Sequence, residues 1–384
     1  MSIFTRLLNL PDLLARKSFF LFGPRATGKS FLVGTQLADR ALVIDLLRSD
    51  LYYRLAADPT LLEALIGDRR GPRAWIVIDE VQKLPGLLDE VHRLIESRGV
   101  RFLLTGSSAR KLRRGQANLL AGRAWTASLH PLTWAELPRF DLQRYLRWGG
   151  LPPVVQSQEP AEELGAYVRT YLQEEIQAEG LVRRLPQFSR FLATAALTNG
   201  QMLNFAAIAS DAGVPAATVR EYYFLLEDTL VGFLLPAWTK SRRRKAISTA
   251  KFYLFDTGVT HALAGTEALD RNSDLYGRSF EHWVAMELRA HLSYRRRPES
   301  LCYWRSTAQH EVDFVVGDHT AIEVKATRHV APRDLRGLQA IAEERKFRRL
   351  LCVSEDRTPA THGQVRCVPW QTFAEELWSD RILA

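Results

Sequence analysis

The feature that most constrains the fold is a glycine-rich segment close to the N-terminus. Gly23–Ser30 fits the pattern G-x-x-x-x-G-K-S/T at every fixed position. The apolar run Phe19–Phe22 before it is typical of a buried strand, and Phe31–Val33 after it is typical of the first turn of a helix. A glycine-rich loop between a strand and a helix is the context in which this pattern binds phosphate. The segment therefore predicts a nucleotide site.

The residue types of this loop suit a bound triphosphate. The backbone N–H groups of the loop and of the following helix N-terminus are expected to face the phosphates. The ammonium group of Lys29 would reach the β- and γ-phosphates, and the hydroxyl of Ser30 would bind Mg²⁺. ATP with Mg²⁺ is the predicted cofactor. The loop residues predicted to bind it are Gly23, Pro24, Arg25, Ala26, Thr27, Gly28, Lys29 and Ser30.

A second apolar run ends in two acidic residues. Ile76–Ile78 lead into Asp79 and Glu80. At the end of a buried parallel strand, Asp79 would lie beside the phosphate loop and hold Mg²⁺ through water, so it joins the predicted nucleotide and metal residues. Glu80 is expected to polarise the attacking water as a general base. In the next strand and its exit, Thr105 and Ser107 are both candidates for a hydroxyl that contacts the γ-phosphate or this water.

The order of apolar and helical segments predicts an α/β architecture. Over residues 19–129, short apolar runs alternate with helical patterns, which is typical of a parallel sheet with helices on both faces. A mostly helical stretch follows from Pro131. Phe205–Ala212 and Ala217–Leu226 are predicted helices on either side of the turn Gly213–Pro215, and an apolar strand pair follows. Together they predict a winged helix-turn-helix.

The charge of the chain favours an acidic partner, although a merely basic enzyme is the alternative. The net charge is +9 and the isoelectric point is about 9.6, as expected for a protein that binds nucleic acid. The second predicted helix carries a cation that can reach a phosphate or a base edge, and the connection between the wing strands carries a run of cations. Such a run gives salt-sensitive, mostly sequence-independent binding. The predicted DNA-binding residues are Arg220, Arg242, Arg243, Arg244 and Lys245.

The cysteines and the apolar segments indicate the compartment. Cys302, Cys352 and Cys367 show neither metal-ligand spacing nor an even disulfide framework, which fits a reducing environment. The N-terminus lacks the apolar region of a signal peptide, and the sequence contains no run of about 18 apolar residues. We therefore expect a soluble, cytoplasmic protein without a membrane partner.

The last part of the chain carries acids and a lysine at strand spacing. Glu281 lies on a predicted helix, Asp313 on one predicted strand, and Glu323 and Lys325 on the next. Because side chains alternate along a strand, a hairpin would bring the last three together, with Glu281 beside them. Oxygen ligands suit Mg²⁺ or Mn²⁺, and a lysine can orient water or offset charge on the scissile phosphate. The prediction is metal-assisted phosphodiester hydrolysis, with Glu281, Asp313 and Glu323 as metal ligands.

The N-terminal segment resembles the AAA+ ATPases on the motifs around Lys29 and Asp79. In that family the position just before the last core strand often supplies an arginine finger to the ATP of the neighbouring subunit. The resemblance assigns this role to Arg123. It also implies a homo-oligomer, usually a hexameric ring. The lid arginine of the family has no confident equivalent in this sequence.

The αβββαβ order of the C-terminal segment, together with D-x9-E-x-K spacing at Asp313, Glu323 and Lys325, resembles the PD-(D/E)XK nuclease superfamily. Val312 stands where that superfamily usually has proline. Over nearly its whole length, the chain resembles prokaryotic ATPases with an N-terminal AAA domain and a C-terminal DUF4143 domain. The segments that carry this resemblance are Gly23–Ser30, Ile76–Glu80, Leu104–Ser108, Lys251–Gly258, Gly277–Glu281, Tyr303–Arg305, Glu311–Val315 and Glu323–Lys325.

The predicted fold is α/β, with a P-loop AAA+ parallel-sheet domain at 1–135, a helical lid at 136–185, a winged helix-turn-helix at 186–265 and a PD-(D/E)XK nuclease-like α/β domain at 266–384. The predicted function is that of an oligomeric ATPase that binds and processes duplex or branched DNA, with a metal-dependent nuclease domain. The alternative is an ATP-gated DNA- or protein-binding regulatory module whose nuclease-like fold is inactive. A third hypothesis is a signalling ATPase that acts on protein.

Overall fold

The computed structural model describes residues 4–106, 120, 122–172 and 185–383. The chain divides into two compact units. The N-terminal unit comprises Ser2–Pro131 with Leu225–Val231, and the C-terminal unit comprises Leu132–Phe224 with Gly232–Ala384. Ser107, one of the two predicted hydroxyl candidates, lies outside the described residues.

A five-stranded sheet forms the centre of the N-terminal unit in its described part. Its strands are β1 (Ser18–Phe22), β2 (Ala41–Asp45), β3 (Trp75–Asp79), β4 (Arg101–Gly106) and β5 (Ala124–Ser128). The order across the sheet is β2-β3-β4-β1-β5, and each neighbouring pair is parallel. β1 is buried along its whole length, as expected for a parallel strand that is covered on both faces. The predicted parallel sheet is confirmed.

The helices described around this sheet are α1 (Leu10–Leu14), α2 (Lys29–Leu37), α3 (Ser49–Ala57), α4 (Leu61–Ile66) and α5 (Leu87–Arg98). α5 shows how the sequence forms them. Leu87, Val91 and Leu94 recur at helical spacing and are buried, so this apolar face packs into the core of the unit. The helix ends at Gly99, whose φ of +67° suits the left-handed turn that closes many helices.

A helical region, a helix pair and a strand pair precede the second sheet. The first helices are α6 (Leu142–Trp148), α7 (Pro152–Gln156), α8 (Pro160–Ala166) and α9 (Leu185–Leu197). Gly213, with φ of +67°, ends α10 (Phe205–Ala212) before α11 (Ala216–Asp228) begins. β6 (Gly232–Leu235) and β7 (Lys251–Leu254) then pair antiparallel. These elements occupy the positions of the predicted helix pair and wing, and their use in DNA binding stays a prediction.

The second sheet is a six-stranded sheet in the C-terminal unit, as far as that unit is described. Its strands are β8 (Leu301–Arg305), β9 (Glu311–Val316), β10 (Thr320–Lys325), β11 (Arg349–Ser354), β12 (Ala360–His362) and β13 (Val365–Pro369). Their order is β12-β13-β11-β10-β9-β8, in which β8, β9 and β10 run antiparallel while β10, β11 and β13 run parallel.

Helices cover both faces of this sheet. They are α13 (Asp274–Tyr294), α14 (Arg336–Glu344) and α15 (Trp370–Trp378), and α12 (Thr257–Ala264) precedes them in the chain. α13 and α15 share one apolar core with the sheet, and α14 shares another, so the sheet lies between two helical layers. None of the helices within the described ranges combines the length and the apolar character that crossing a bilayer would require.

Candidate functional site

The glycine-rich loop joins β1 to α2 at the carboxyl end of the first sheet. Gly28 has φ of +92° and Ala26 has φ of +62°, so the loop passes through the left-handed region before α2 begins. A side chain would not fit at Gly23, because a Cβ atom there would lie 2.5 Å from the carbonyl oxygen of Leu129. The loop therefore closes tightly above the N-terminus of α2, where backbone N–H groups bind phosphate.

Lys29 lies inside this loop. Only 6% of the residue is exposed, and its ammonium group donates to the carbonyl oxygens of Gly23 at 2.7 Å and Pro24 at 3.1 Å. The buried hydroxyl of Thr27 donates to the same Pro24 oxygen at 2.8 Å. Carbonyl oxygens are uncharged acceptors, so the charged oxygens of a phosphate can replace them as partners of the ammonium group. Ser30 follows at an exposed position of α2.

Asp79 and Thr105 lie at the carboxyl ends of the neighbouring strands β3 and β4. The buried Thr105 hydroxyl donates a hydrogen bond to the Asp79 carboxylate, and the backbone N–H of Glu80 donates to the Thr105 oxygen at 3.2 Å. Thr105 is thus tied to both acids. The carboxylate of Asp79 and the hydroxyl of Ser30 are hard oxygen donors, so they suit Mg²⁺ that is also bound by nucleotide phosphates.

Glu80 follows β3 in a left-handed conformation, with φ of +59°. Its carboxylate accepts a hydrogen bond from the side-chain amide of Gln82, a residue that sequence reasoning missed. Gly106 leaves room for this amide, because a Cβ atom there would lie 2.6 Å from the Gln82 side-chain oxygen. Burial raises the pKa of Glu80, and the charge of Lys29 partly opposes this shift. A carboxylate with a raised pKa beside a phosphate loop suits a general base.

Arg123 directly precedes β5, at the end of the sheet opposite to the phosphate loop of the same chain. β5 runs parallel to β1 and reaches the loop end at Ser128, which pairs with Phe22. Since β5 has five residues and is therefore roughly 15 Å long, Arg123 is remote from its own nucleotide site. Its guanidinium forms an exposed ion pair with Glu96, which lowers the pKa of Glu96. Contact with the ATP of a neighbouring subunit stays a prediction.

In the C-terminal unit, the β9–β10 hairpin brings Asp313, Glu323 and Lys325 together. Lys325 Nζ lies 2.6 Å from Glu323 Oε1, and the Asp313 carboxylate accepts a hydrogen bond of 2.8 Å from the backbone N–H of Val324. Asp313 and Glu323 are buried. Among the described residues, nothing donates a hydrogen bond to Glu323 Oε2, which is also buried. A catalytic use of these residues stays a prediction.

Lys251 and Tyr253, which sequence reasoning missed as site residues, complete the group. Lys251 Nζ lies 3.2 Å from Glu281 Oε1 and 2.8 Å from Glu311 Oε1, and the Tyr253 hydroxyl donates to the Glu281 carboxylate. Alternation along β7 puts Lys251 and Tyr253 on one face, but it does not indicate what that face contacts. The carboxylate–lysine cluster, as we call it, consists of Lys251, Glu281, Glu311, Asp313, Glu323 and Lys325.

Burial and charge together set the protonation of the carboxylate–lysine cluster. Burial, reinforced by the charges of Glu323 and Glu281, raises the pKa of Asp313 well above its ordinary value. Burial also raises the pKa of Glu323 to about 7, although Lys325 opposes this shift. For the lysines, the carboxylates outweigh burial, so the pKa of Lys251 and that of Lys325 are both raised. Both lysines are therefore charged at neutral pH.

The carboxylate–lysine cluster, as it is arranged, does not fit a divalent metal ion. Within the described ranges, no group of three or more His, Cys, Asp or Glu side chains is placed to hold a metal ion. Lysine ammonium groups instead contact carboxylate oxygens of Glu281, Glu311 and Glu323. A metal ion would need those oxygens at about 2.0–2.6 Å, in space that the ammonium groups now occupy. Metal binding by Glu281, Asp313 and Glu323 stays a prediction that this arrangement does not support.

The basic run between β6 and β7 is anchored on α14. One carboxylate oxygen of Glu344 accepts hydrogen bonds from the backbone N–H groups of Arg242, Arg243 and Arg244, at 2.8, 2.6 and 3.3 Å. The half-buried Arg244 side chain also pairs with Glu344, at 2.9 Å. Arg242, Arg243 and Lys245 are exposed. The run therefore combines a fixed backbone with exposed cations, an arrangement that suits a phosphate backbone.

Arg220 is exposed on α11. Its guanidinium lies over the ring of Phe205, 5.1 Å from the ring centroid. The use of Arg220 in DNA binding stays a prediction.

The sequence matches three domain families in succession. Residues 15–138 match an AAA domain, residues 139–270 match a domain of unknown function named DUF8612, and residues 276–373 match DUF4143. The phosphate loop, Glu80 and Arg123 lie in the first match. Glu281, Glu311, Asp313, Glu323 and Lys325 lie in the third, whereas Lys251 lies in the second.

Proteins similar to this chain are known from bacteria and an archaeon. The uncharacterized proteins Rv2008c of Mycobacterium tuberculosis and Mb2031c of Mycobacterium bovis are each 31% identical over 361 residues, which is 88% of this chain and 77% of theirs. The Walker-type ATPase PABY2304 of Pyrococcus abyssi is 15% identical, with a TM-score of 0.45 over 66% of this chain and 93% of its own. The predicted resemblance to ATPases with an AAA and a DUF4143 domain is confirmed. The chain therefore belongs to the family of the two mycobacterial proteins, as an AAA-type ATPase with a C-terminal DUF4143 domain.

Proposed function

We propose that the N-terminal unit hydrolyses ATP together with Mg²⁺. The observation that carries this proposal is the placement of Glu80, a base of raised pKa that directly follows β3 and interacts electrostatically with Lys29 of the phosphate loop. A phosphate loop, an acid for the metal and a base for water thus lie at the carboxyl end of one parallel sheet. Open α/β sheets bind their ligands at this end.

Each residue then has a separate task in hydrolysis. Lys29 exchanges the loop carbonyls for oxygens of the β- and γ-phosphates. Ser30 and Asp79 would hold Mg²⁺, which offsets the charge of the phosphates when it is bound. Glu80 accepts a proton from the attacking water. Thr105 bonds to both Asp79 and the backbone of Glu80, so it keeps the metal-side acid and the base at a fixed spacing.

Steady-state hydrolysis tests the role of Glu80. The Glu80→Gln variant should still bind ATP but hydrolyse it about 10²–10⁴-fold more slowly, because an amide cannot accept the proton. Glu162→Gln, at an exposed position of α8, is the matched control and should keep the wild-type rate. Since burial raises the pKa of Glu80, the wild-type rate should fall on acidification at a higher pH than an ordinary carboxylate would impose. Normal turnover by Glu80→Gln would remove Glu80 as the base.

We further propose that the protein acts on duplex or branched DNA as an oligomer, with a hexameric ring as the expected form. The position of Arg123, remote from its own phosphate loop, supports ATP sites that are completed by a neighbouring subunit. The Glu344-anchored basic run supports binding to the DNA backbone, and the net charge of +9 favours it.

For the C-terminal unit, we favour DNA binding without cleavage. The ion pairs of Lys251 with Glu281 and Glu311 support this choice, because they occupy oxygens that a metal ion would need. Metal-dependent cleavage by Asp313, Glu323 and Lys325 is the competing proposal. Labelled junction and duplex DNA, incubated with Mg²⁺ and with or without ATP, separate the two. Salt-sensitive binding without cleavage supports the first, and cleavage that Asp313→Ala abolishes supports the second. Absence of binding at low salt would favour an ATPase that acts on protein.

A further inference from the structure

Lys251 is the most enclosed cation of the carboxylate–lysine cluster. Only 4% of the residue is exposed. Its ammonium nitrogen lies 3.2 Å from Glu281 Oε1 on α13 and 2.8 Å from Glu311 Oε1 on β9. One ammonium group thus bridges carboxylates from two separate elements, which is the place that a divalent cation takes in a carboxylate site.

The strand that carries Lys251 is fixed on both sides. β7 pairs with β6, and the Phe252 carbonyl oxygen accepts a hydrogen bond of 2.8 Å from the backbone N–H of Gly200. The backbone N–H of Leu254 donates to the side-chain oxygen of Asn199 at 2.7 Å. The ammonium group therefore cannot leave the carboxylates by a displacement of β7 without breaking these bonds.

Other cations of the chain also lie against carboxylates of the cluster. Arg305 Nη1 lies 3.2 Å from Glu311 Oε2, the second oxygen of the carboxylate that Lys251 contacts. Lys325 Nζ lies 2.6 Å from Glu323 Oε1. Three cations of the chain, Lys251, Arg305 and Lys325, thus face three carboxylates of the cluster at ion-pair distance. In a metal site the metal ion neutralises the carboxylate charges, whereas here side-chain cations do so.

We propose that Lys251 takes the place of a divalent metal ion in the carboxylate–lysine cluster, so that the C-terminal unit works without a bound metal. The sequence then keeps the pattern of Asp313, Glu323 and Lys325, which usually indicates metal-assisted hydrolysis. Lys251, which lies outside the DUF4143 match, prevents the metal ion from binding. This inference goes beyond the proposed function, because it requires neither ATP hydrolysis nor DNA binding.

Removal of the ammonium group should open a metal site. In Lys251→Ala, Glu281 and Glu311 lose their shared cation, and the space left among oxygen donors suits a divalent ion. The nucleotide-free full chain is titrated with Mn²⁺, and free Mn²⁺ is followed by electron paramagnetic resonance. In the wild-type chain, Asp313→Asn should not change the number of bound Mn²⁺ ions. Lys251→Ala should bind one additional Mn²⁺ per chain, and the double variant Lys251→Ala/Asp313→Asn should lose it again.

Two further variants keep the outcome decisive. Lys240→Ala removes an exposed lysine that pairs with Asp318, and it should gain no Mn²⁺. Lys251→Met keeps the volume of the side-chain stem, and it replaces Lys251→Ala if circular dichroism shows that the alanine variant is unfolded. A wild-type Mn²⁺ site that Asp313→Asn removes and Asp79→Asn leaves intact would overturn the proposal. A folded Lys251 variant without any gain in Mn²⁺ would overturn it as well.

Discussion

Two buried lysines, one in each unit, differ in their partners and therefore in what they can bind. Lys29 donates to loop carbonyl oxygens at 2.7 and 3.1 Å, whereas Lys251 contacts the carboxylates of Glu281 and Glu311 at 3.2 and 2.8 Å. The carboxylates carry a negative charge that attracts the ammonium group, whereas the loop carbonyls are uncharged, so a phosphate competes better with the carbonyls than with the carboxylates. The partners of a buried cation, more than its burial, therefore decide whether a ligand can recruit it.

The two lysines also differ in the backbone that carries them, which is the end of a loop for one and a paired strand for the other. Lys29 follows a loop with left-handed residues at Ala26 and Gly28, in the context of strand, loop and helix that is typical of phosphate binding. Lys251 stands on β7, whose backbone groups pair with β6 and its surroundings. One lysine thus belongs to a binding loop and the other to the framework of the fold. Variants of these two lysines and of other cations of the chain should differ accordingly, and they are given in order of decreasing effect.

The largest effect is expected at Arg123, a third cation whose exposed pair with Glu96 should be released at little cost. An arginine finger contributes about 10³-fold or more to turnover, so Arg123→Ala should slow ATP hydrolysis by that order. Glu96→Gln removes the partner alone and should leave the rate unchanged. Mixing Arg123→Ala with Lys29→Ala subunits should partly restore hydrolysis, and absence of any rescue would argue against a finger that acts between subunits.

Removal of Lys251 should cost the C-terminal unit much of its stability. Lys251→Ala leaves two carboxylates, those of Glu281 and Glu311, without their shared cation, and breaking a buried pair in this way costs about 3–5 kcal/mol. Urea unfolding followed by circular dichroism measures the change. Lys240→Ala breaks a largely exposed pair with Asp318 and should cost less than about 1 kcal/mol. Similar losses in the two variants would show that Lys251 is no more important for stability than an exposed lysine.

Lys29→Ala should affect ligand binding instead of stability. Each hydrogen bond to a charged group contributes about 1.5–3 kcal/mol, so losing the contacts to the β- and γ-phosphates should weaken ATP binding about 100-fold or more. Fluorescence titration with a labelled ATP analogue measures this loss. The control is Lys83→Ala, at an exposed position after β3. Unchanged ATP affinity in Lys29→Ala would refute the assignment of the loop.

The smallest effect is expected for the basic run. Replacing Arg242 and Arg243 together by Ala should remove two phosphate contacts, while Glu344 still holds the backbone N–H groups. The slope of log affinity against log salt should then fall by about 1.8 for duplex DNA. Arg333→Ala combined with Arg357→Ala, two exposed arginines elsewhere, is the control. DNA titrations at several salt concentrations measure this slope. An unchanged slope would show that Arg242 and Arg243 do not contact DNA phosphates.

The N-terminal site was largely predictable because its pattern is local. A strand, a short loop and the start of a helix lie within one short segment, and Gly23–Ser30 fits its motif at every fixed position. The acids Asp79 and Glu80 needed only the rule that parallel strands end at the same edge of a sheet. The Gln82 amide on Glu80 was not predictable, because it depends on the left-handed turn at Glu80 and on the space beside Gly106.

The carboxylate–lysine cluster was predictable only in part, for the same physical reason. Asp313, Glu323 and Lys325 lie on one hairpin, so alternation along two adjacent strands was enough to bring them together. Lys251 comes from β7, outside this sheet, and no periodicity in the sequence indicates that β7 packs against α13 and β9. The cation that balances the cluster therefore became visible only in the structure, and with it the reason to question a metal site.

Single-turnover conversion of ATP by the full chain, with protein in excess and Mg²⁺ present, is the decisive measurement for hydrolysis at the phosphate loop. We expect that wild-type protein retains ATP and converts it to ADP and phosphate, whereas Glu80→Gln retains ATP intact. If the wild-type chain neither retains nor converts ATP at any Mg²⁺ concentration, the N-terminal unit is not an ATPase.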